Sequence, residues 1–210
     1  MKRFKTFTCM VLMCLMALSF AACGNKENED QKNEIDYCKD VKENEITFYS
    51  DGSILEIAVV DMSDLKDTAD LSDYVKTQVA GFNKAAGVDK ISLLQFKEEG
   101  KTYKTAIKYS DLETFNKFNG YDFKLSIYNS QDIDAITGTS ATLTDAENGK
   151  TVGSAEIKNE GLMMFTFDEK YLVKVEGGKI LYTAHGAEKY GDGALYNETE
   201  DLAVVLFEFK

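Results

Sequence analysis

The chain has 210 residues, with 36 acidic side chains against 24 basic ones and a formal charge of −12. That balance excludes binding to nucleic acid or to an anionic lipid surface through charge alone. A hydrophobic content of 44% argues for a packed core rather than a disordered chain.

Lys2, Arg3 and Lys5 open the chain, and residues 7–22 carry no charge. This run is shorter than the ~20 residues a membrane span needs. A basic start, a short apolar centre and small residues at the end make residues 1–22 a secretory signal peptide, with a retained anchor helix as the alternative. Phe20-Ala21-Ala22-Cys23 resembles the lipobox of bacterial lipoproteins. The resemblance implies that a peptidase cuts before Cys23 and that its thiol carries a diacylglyceryl group, with membrane lipid as the partner. Phe20 departs from the Leu usual in that family. Each buried methylene of such an anchor contributes ~0.8 kcal/mol, and two or more chains hold stably. The expected location is therefore the extracytoplasmic face of the cell membrane. An ordinary signal peptide with a chance cysteine is the alternative.

Three consequences follow. Arg3 is the only arginine, so the mature chain has no planar fork for carboxylate or phosphate. Cys9 and Cys14 leave with the signal and Cys23 is modified. Cys38 alone remains, which forbids an internal disulfide. It is expected as a reduced small hydrophobe, with pairing between chains as the alternative. Residues 23–43, including "GNKENEDQKNE", are polar and aperiodic and read as a disordered acidic tether.

The folded domain is expected over residues 44–210. "ITFYSDGSILEIAVV" predicts a hairpin turning at Asp51-Gly52. Leu71, Val75, Val79 and Phe82 recur at helical spacing, with Asp70 or Ser72 to cap the start and Gly87 to end it. "ISLLQFKEEGKTYKTAIKY" predicts a second hairpin at Glu99-Gly100. In "SDLETFNKFNG", Ser110 and Glu113 stand at capping-box spacing and Gly120 closes a short helix. Strand-like runs follow at 123–128, 140–144 and 162–167. "YLVKVEGGKILY" predicts a third hairpin over Gly177-Gly178, and the apolar run 202–209 predicts a C-terminus tied into a sheet. The class is α+β: a mainly antiparallel β-sheet with hairpins and two helices packed on it. A soft subdivision near 129–138 is the alternative to one undivided domain.

"DGSILEIAVVDM", "GFNKAAG", "KYSDLETFNKFNG" and "VKVEGGKILY", in that order, resemble a group of lipoproteins from clostridia-like Gram-positive bacteria. The resemblance spans nearly all of the mature chain. The group has no established activity, so it implies no catalytic residues and no cofactor. It implies a Pro-Gly where this chain has Gly177-Gly178.

The residues offer little chemistry. Gly138-Thr139-Ser140-Ala141-Thr142 lacks the last glycine of a nucleophile elbow and reads as a strand entry. Gly191-Asp192-Gly193 starts like a dinucleotide loop, but Tyr196 replaces the third glycine, so a turn is expected. His185 is the sole histidine and reads as a loop residue; with one thiol it cannot make a zinc site. Asp61, Asp64, Asp67, Asp70 and Asp73 recur every third residue, whereas a calcium loop alternates its acids and has a glycine sixth, where this chain has Lys66. A solvated connection is expected, with a weak calcium site as the alternative. Tyr171, Tyr182, Tyr190 and Tyr196 could stack on sugars or peptides; the plainer reading puts Tyr171 and Tyr182 in the hairpin core and the others on its rim. The functional expectation is a non-catalytic binding or accessory module for an envelope protein or glycan, not an enzyme. The alternative is a carboxylate-dependent glycoside hydrolase with two acids ~5–9.5 Å apart.

Overall fold

Asp51 and Gly52 close the first hairpin by the mechanism their types suggest. Gly52 sits at φ 82°, and the Asp51 carboxylate accepts from the Ser53 amide at 2.9 Å and the Ser53 hydroxyl at 2.6 Å. The computed structural model describes residues 35–63, 71–137, 141–158, 161–197 and 202–210. The turn joins β1 (Glu45–Phe48) to β2 (Ile54–Asp61), with Ile46 opposite Glu56. Helix α1 (Leu71–Ala86) buries Val75 and Val79, and Gly87 follows it at φ 71°. The second hairpin joins β3 (Ile91–Glu99) to β4 (Thr102–Tyr109) through Gly100 at φ 68°. Helix α2 (Leu112–Asn119) starts one residue later than the capping-box spacing suggests. Asp111, not Ser110, is the N-cap, and its carboxylate accepts from the Thr114 amide at 2.7 Å.

The second half supplies β5 (Lys124–Ile127), α3 (Ser130–Thr137), β6 (Thr142–Asp145), β7 (Thr151–Gly153) and β8 (Met163–Phe167). Then come β9 (Leu172–Val175), β10 (Gly178–His185), β11 (Ala187–Tyr190), β12 (Gly193–Tyr196) and β13 (Ala203–Phe209). Sheet I has the order β11-β12-β9-β1-β2-β4-β3 and sheet II the order β5-β8-β13-β10-β6-β7. Among the described residues the β1–β9 pairing is parallel and the others are antiparallel. The fold is α+β and sheet-rich, as the sequence suggests.

Four expectations change in detail. The strands flanking Gly177-Gly178 are not a hairpin. β9 lies between β1 and β12 in sheet I, while β10 lies between β13 and β6 in sheet II. Both edges of β9 are filled, so the turn is a corner from one sheet to the other. Gly177 takes φ 71°, which proline, fixed near −65°, cannot adopt. Next, α3 occupies the segment read as a soft boundary. Its single apolar turn, around the fully buried Ile133, is too short to register as periodicity. One compact unit spans Tyr37–Lys210, and so takes in residues 37–43 of the segment read as a tether. Cys38 is 0% exposed and packs on Leu55, Ile57 and Ala106, while its amide donates to Gln95 at 3.2 Å. Finally, Tyr196, expected on a rim, is buried and packs on Phe167 with ring centroids 6.0 Å apart.

The main core lies between the two sheets, where Phe48 meets Phe165 and Phe207 at centroid distances of 4.7 and 5.4 Å. Along β13, Ala203, Val205 and Phe207 enter this core. Val204 and Leu206 enter a second one with Ile133, Tyr128 and Leu143. Sheet II is therefore covered on both faces, which is why the C-terminal run is apolar without alternation.

Two predictions follow. A Cβ on Gly178 would stand 2.1 Å from the Glu208 carbonyl oxygen and 2.7 Å from Val175 Cγ1. Gly178→Ala should cost at least the ~1–3 kcal/mol of an overpacked site, read as a lower urea midpoint; an unchanged midpoint would contradict this packing. The buried Cys38 thiol should form no disulfide-linked dimer on a non-reducing gel, and a substantial band lost on reduction would contradict its burial.

Candidate functional site

Side-chain alternation on β2 places Glu56 on the same face as Ile54, toward the main core, and Leu55 and Ile57 on the other. Glu56 is only 4% exposed. Its carboxylate receives the Tyr109 hydroxyl at 2.5 Å, the Tyr171 hydroxyl at 2.6 Å and the Asn119 side-chain amide at 3.2 Å. Asn119 also donates to the Tyr109 oxygen at 3.2 Å. Burial pushes the Glu56 carboxyl above the usual carboxylate range, and the three hydrogen bonds hold it partly back. Burial first, and the adjoining carboxylate second, push Tyr109 and Tyr171 well above the usual phenol range. Tyr121 shares a hydrogen bond with Tyr171 and is pushed up to about 12, mainly by burial.

Helix α2 links this cluster to the surface. Partial burial pushes the capping Asp111 carboxyl up, but hydrogen bonds from Thr114 and Ser110 outweigh it and hold it at about 2. The helix turns Phe115 into the core and ends with Asn119 on Glu56. Gly120, at φ 76°, then reverses the chain so that Tyr121 stacks on Phe123, with centroids 4.7 Å apart and planes at 3°. The Asn116 amide donates to the Phe123 carbonyl at 2.8 Å and fixes the entry to β5. Among the described residues, Asn116 Oδ1 is the buried side-chain atom left without a hydrogen-bond partner.

Beside β5 lies an open groove of about 950 Å³. Leu112, Asn116 and Lys117 of α2 form one bank, with Tyr121 at its end. Ala135 and Ile136 of α3 form the other. Three successive residues, Lys124, Leu125 and Ser126, line it as well. Successive residues point to opposite faces of a strand, and Met164 and Thr166 of β8 line the groove beside Lys124 and Ser126, so it wraps the edge of β5 and reaches over the face that β5 shares with β8.

The residues singled out in the sequence are not brought together here. Cys23, Asp64, Asp67, Asp70 and the segment 138–140 lie outside the described residues. Asp61 accepts from the Ser63 amide and hydroxyl at 2.8 and 2.5 Å, and Asp73 pairs with Lys76 at 3.2 Å. His185, expected in a loop, is instead the exposed last residue of β10, at φ 52° where the strand gives way to the turn at Gly186. Gly191-Asp192 is the turn of the β11–β12 hairpin; a strand follows it, not the helix start that would receive a pyrophosphate. Tyr171 is in the core and Tyr182 is half-buried, whereas Tyr190 is 56% exposed. Glu56 is the residue that sequence reading missed. Its signal was an acid between Leu55 and Ile57 in a predicted strand, in phase with Ile54. No family model, curated protein or solved structure matches the chain.

Chemically, a carboxyl with a raised pKa could serve as a general acid, but this one is sealed beneath Tyr109, Tyr171 and Asn119, away from any substrate. Its effect is on stability. Because folding raises its pKa, the folded state favours the protonated form. The stability Glu56 contributes is present below the ordinary carboxylate pKa and is lost as pH rises through the folded value. Glu56→Gln, neutral throughout, should lack that loss. The urea midpoint of the wild type should fall relative to Glu56→Gln as the pH rises from the ordinary carboxylate range through the raised folded value, and parallel curves would refute the raised pKa.

Proposed function

We propose that this chain is a lipoprotein held by a diacylglyceryl group on Cys23 at the extracytoplasmic face of the cell membrane. Its folded part is a non-catalytic binding or accessory module for an envelope protein or glycan, and it needs no cofactor. The anchoring half is supported by Phe20-Ala21-Ala22-Cys23 after an uncharged run. The binding half is carried by the open groove beside β5, which combines apolar side chains, lysines and carboxylates without a sealed reaction chamber.

The glycoside hydrolase reading fits the same groove less well. A general acid needs a raised pKa and access to the sugar. Glu113, which lines the groove, is lowered instead by a hydrogen bond from Lys117 and by the lysine's charge. The carboxyl that is raised, Glu56, is in the core.

Two measurements test the proposal. Cells fed a clickable palmitate analogue should label the wild-type chain and not Cys23→Ser; a label retained by the variant would overturn the anchoring. The full-length chain in detergent should retain an envelope protein or glycan and show no turnover on a glycosidase substrate panel. Turnover abolished by one acid-to-amide change would overturn the non-catalytic reading.

A further inference from the structure

We propose that the groove beside β5 takes an extended peptide carrying basic side chains, which pairs edge-on with β5 as a seventh strand of sheet II. This rests on the binding reading above and names the partner's chemistry.

The first observation is the edge itself. β5 is an outer strand and is bonded to β8 alone, so among the described residues its other side has no ladder partner. The natural complement of such a row of amides and carbonyls is another extended backbone. The second is the shape. α2 packs on the main core through Phe115, and α3 packs on the opposite face of sheet II through Ile133. The strand edge therefore lies between two helical banks. An added strand would send alternate side chains toward Leu112 and Phe123 on one side and Ala135 and Ile136 on the other. Ile127, at the end of β5, is 66% exposed and extends the apolar strip.

Charge selects among strands. The groove holds Glu113, Asp122 and Asp132 against Lys117 and Lys124. Lys117 is bonded to Glu113 at 2.6 Å and Lys124 lies 3.9 Å from Asp122. Asp132, on the α3 bank, has no ion-pair partner among the described residues, so it complements a cation. A second copy of this chain, with its charge of −12, would bring the same acidity to the edge and be repelled.

The test uses the full-length chain in detergent and fluorescence anisotropy with a short labelled peptide of alternating valine and lysine. The peptide should bind. N-methylating alternate amides should weaken it by about tenfold, the equivalent of one or two backbone hydrogen bonds at ~1 kcal/mol each. Ala135→Trp, which fills the groove from an exposed position, should weaken it similarly. Asp132→Lys, also exposed, should shift preference toward a valine–glutamate peptide. Absence of binding, or binding indifferent to N-methylation or to Ala135→Trp, would overturn the strand proposal. Chitotetraose is the parallel glycan probe. If it binds and Ala135→Trp abolishes this while the peptide does not bind, the strand proposal fails and the binding reading stands. If neither probe binds and no envelope component is retained, both fail.

Discussion

Glu56 brings together parts of the chain that have no local reason to meet. The tyrosines that hold its carboxylate lie 53 and 115 residues away in sequence, and Asn119 lies 63 away. They come from β4, from the residue before β9 and from the end of α2. A carboxyl buried without partners costs several kcal/mol, so this arrangement disfavours any packing that does not supply all three. A slip of β2 by one residue would turn Glu56 to the Cys38 face and present Leu55 to the tyrosine hydroxyls. Apolar contacts alone tolerate such errors better, because Ile54, Leu55 and Ile57 are near equivalents in size and character. The cluster thus fixes the register of sheet I and the position of α2 on it.

What the sequence made legible is what short-range physics controls. Asp51-Gly52 and Glu99-Gly100 announced their turns because only certain residues accept a positive φ there. Val75 and Val79 announced α1 because a helix with one buried stripe leaves a period. Gly177-Gly178 misled for the same reason. A turn residue declares a reversal of the chain but not which strands pair after it. The choice between a hairpin and a corner depends on β1 and β12 having filled both edges of β9, and those strands are distant in sequence. Helix α3 was hidden by its length, and Cys38 by the charged residues around it. Tyr109, Asn119 and Tyr171 carried no local mark of a shared partner. The groove was illegible for a further reason: among the described residues no strand pairs with the outer side of β5, and sequence patterns record contacts rather than open edges.

The outer strands of the two sheets are treated differently. β3 is nine residues long, carries a register shift between Leu93 and Gln95, and ends in Lys97, Glu98 and Glu99. A bulge and charged side chains are the usual means by which a long edge avoids pairing with other chains. β7 is only three residues long. β5 has four residues, with one lysine at its start and Leu125 and Ile127 exposed or half-exposed beyond it. What flanks it is a pair of helical banks, with Leu112, Asn116 and Lys117 of α2 on one side and Ala135 and Ile136 of α3 on the other.

The same carboxyl that sets the register also steadies that edge. Tyr121 closes one end of the groove, stacks on Phe123 immediately before β5, and shares a hydrogen bond with Tyr171, which donates to Glu56. Asn116 holds the Phe123 carbonyl from the other side. The entry to β5 is thus tied to the core by side chains that have few alternative rotamers once packed. A binding surface built on a mobile loop must spend part of its interaction energy on ordering that loop, at roughly 1–2 kcal/mol per residue of backbone. Here the folding reaction has already met that cost, since the cluster must form for the sheets to pack. A partner at β5 would meet a groove preorganised by the protein's own stability, and the affinity available from a short strand would be correspondingly larger.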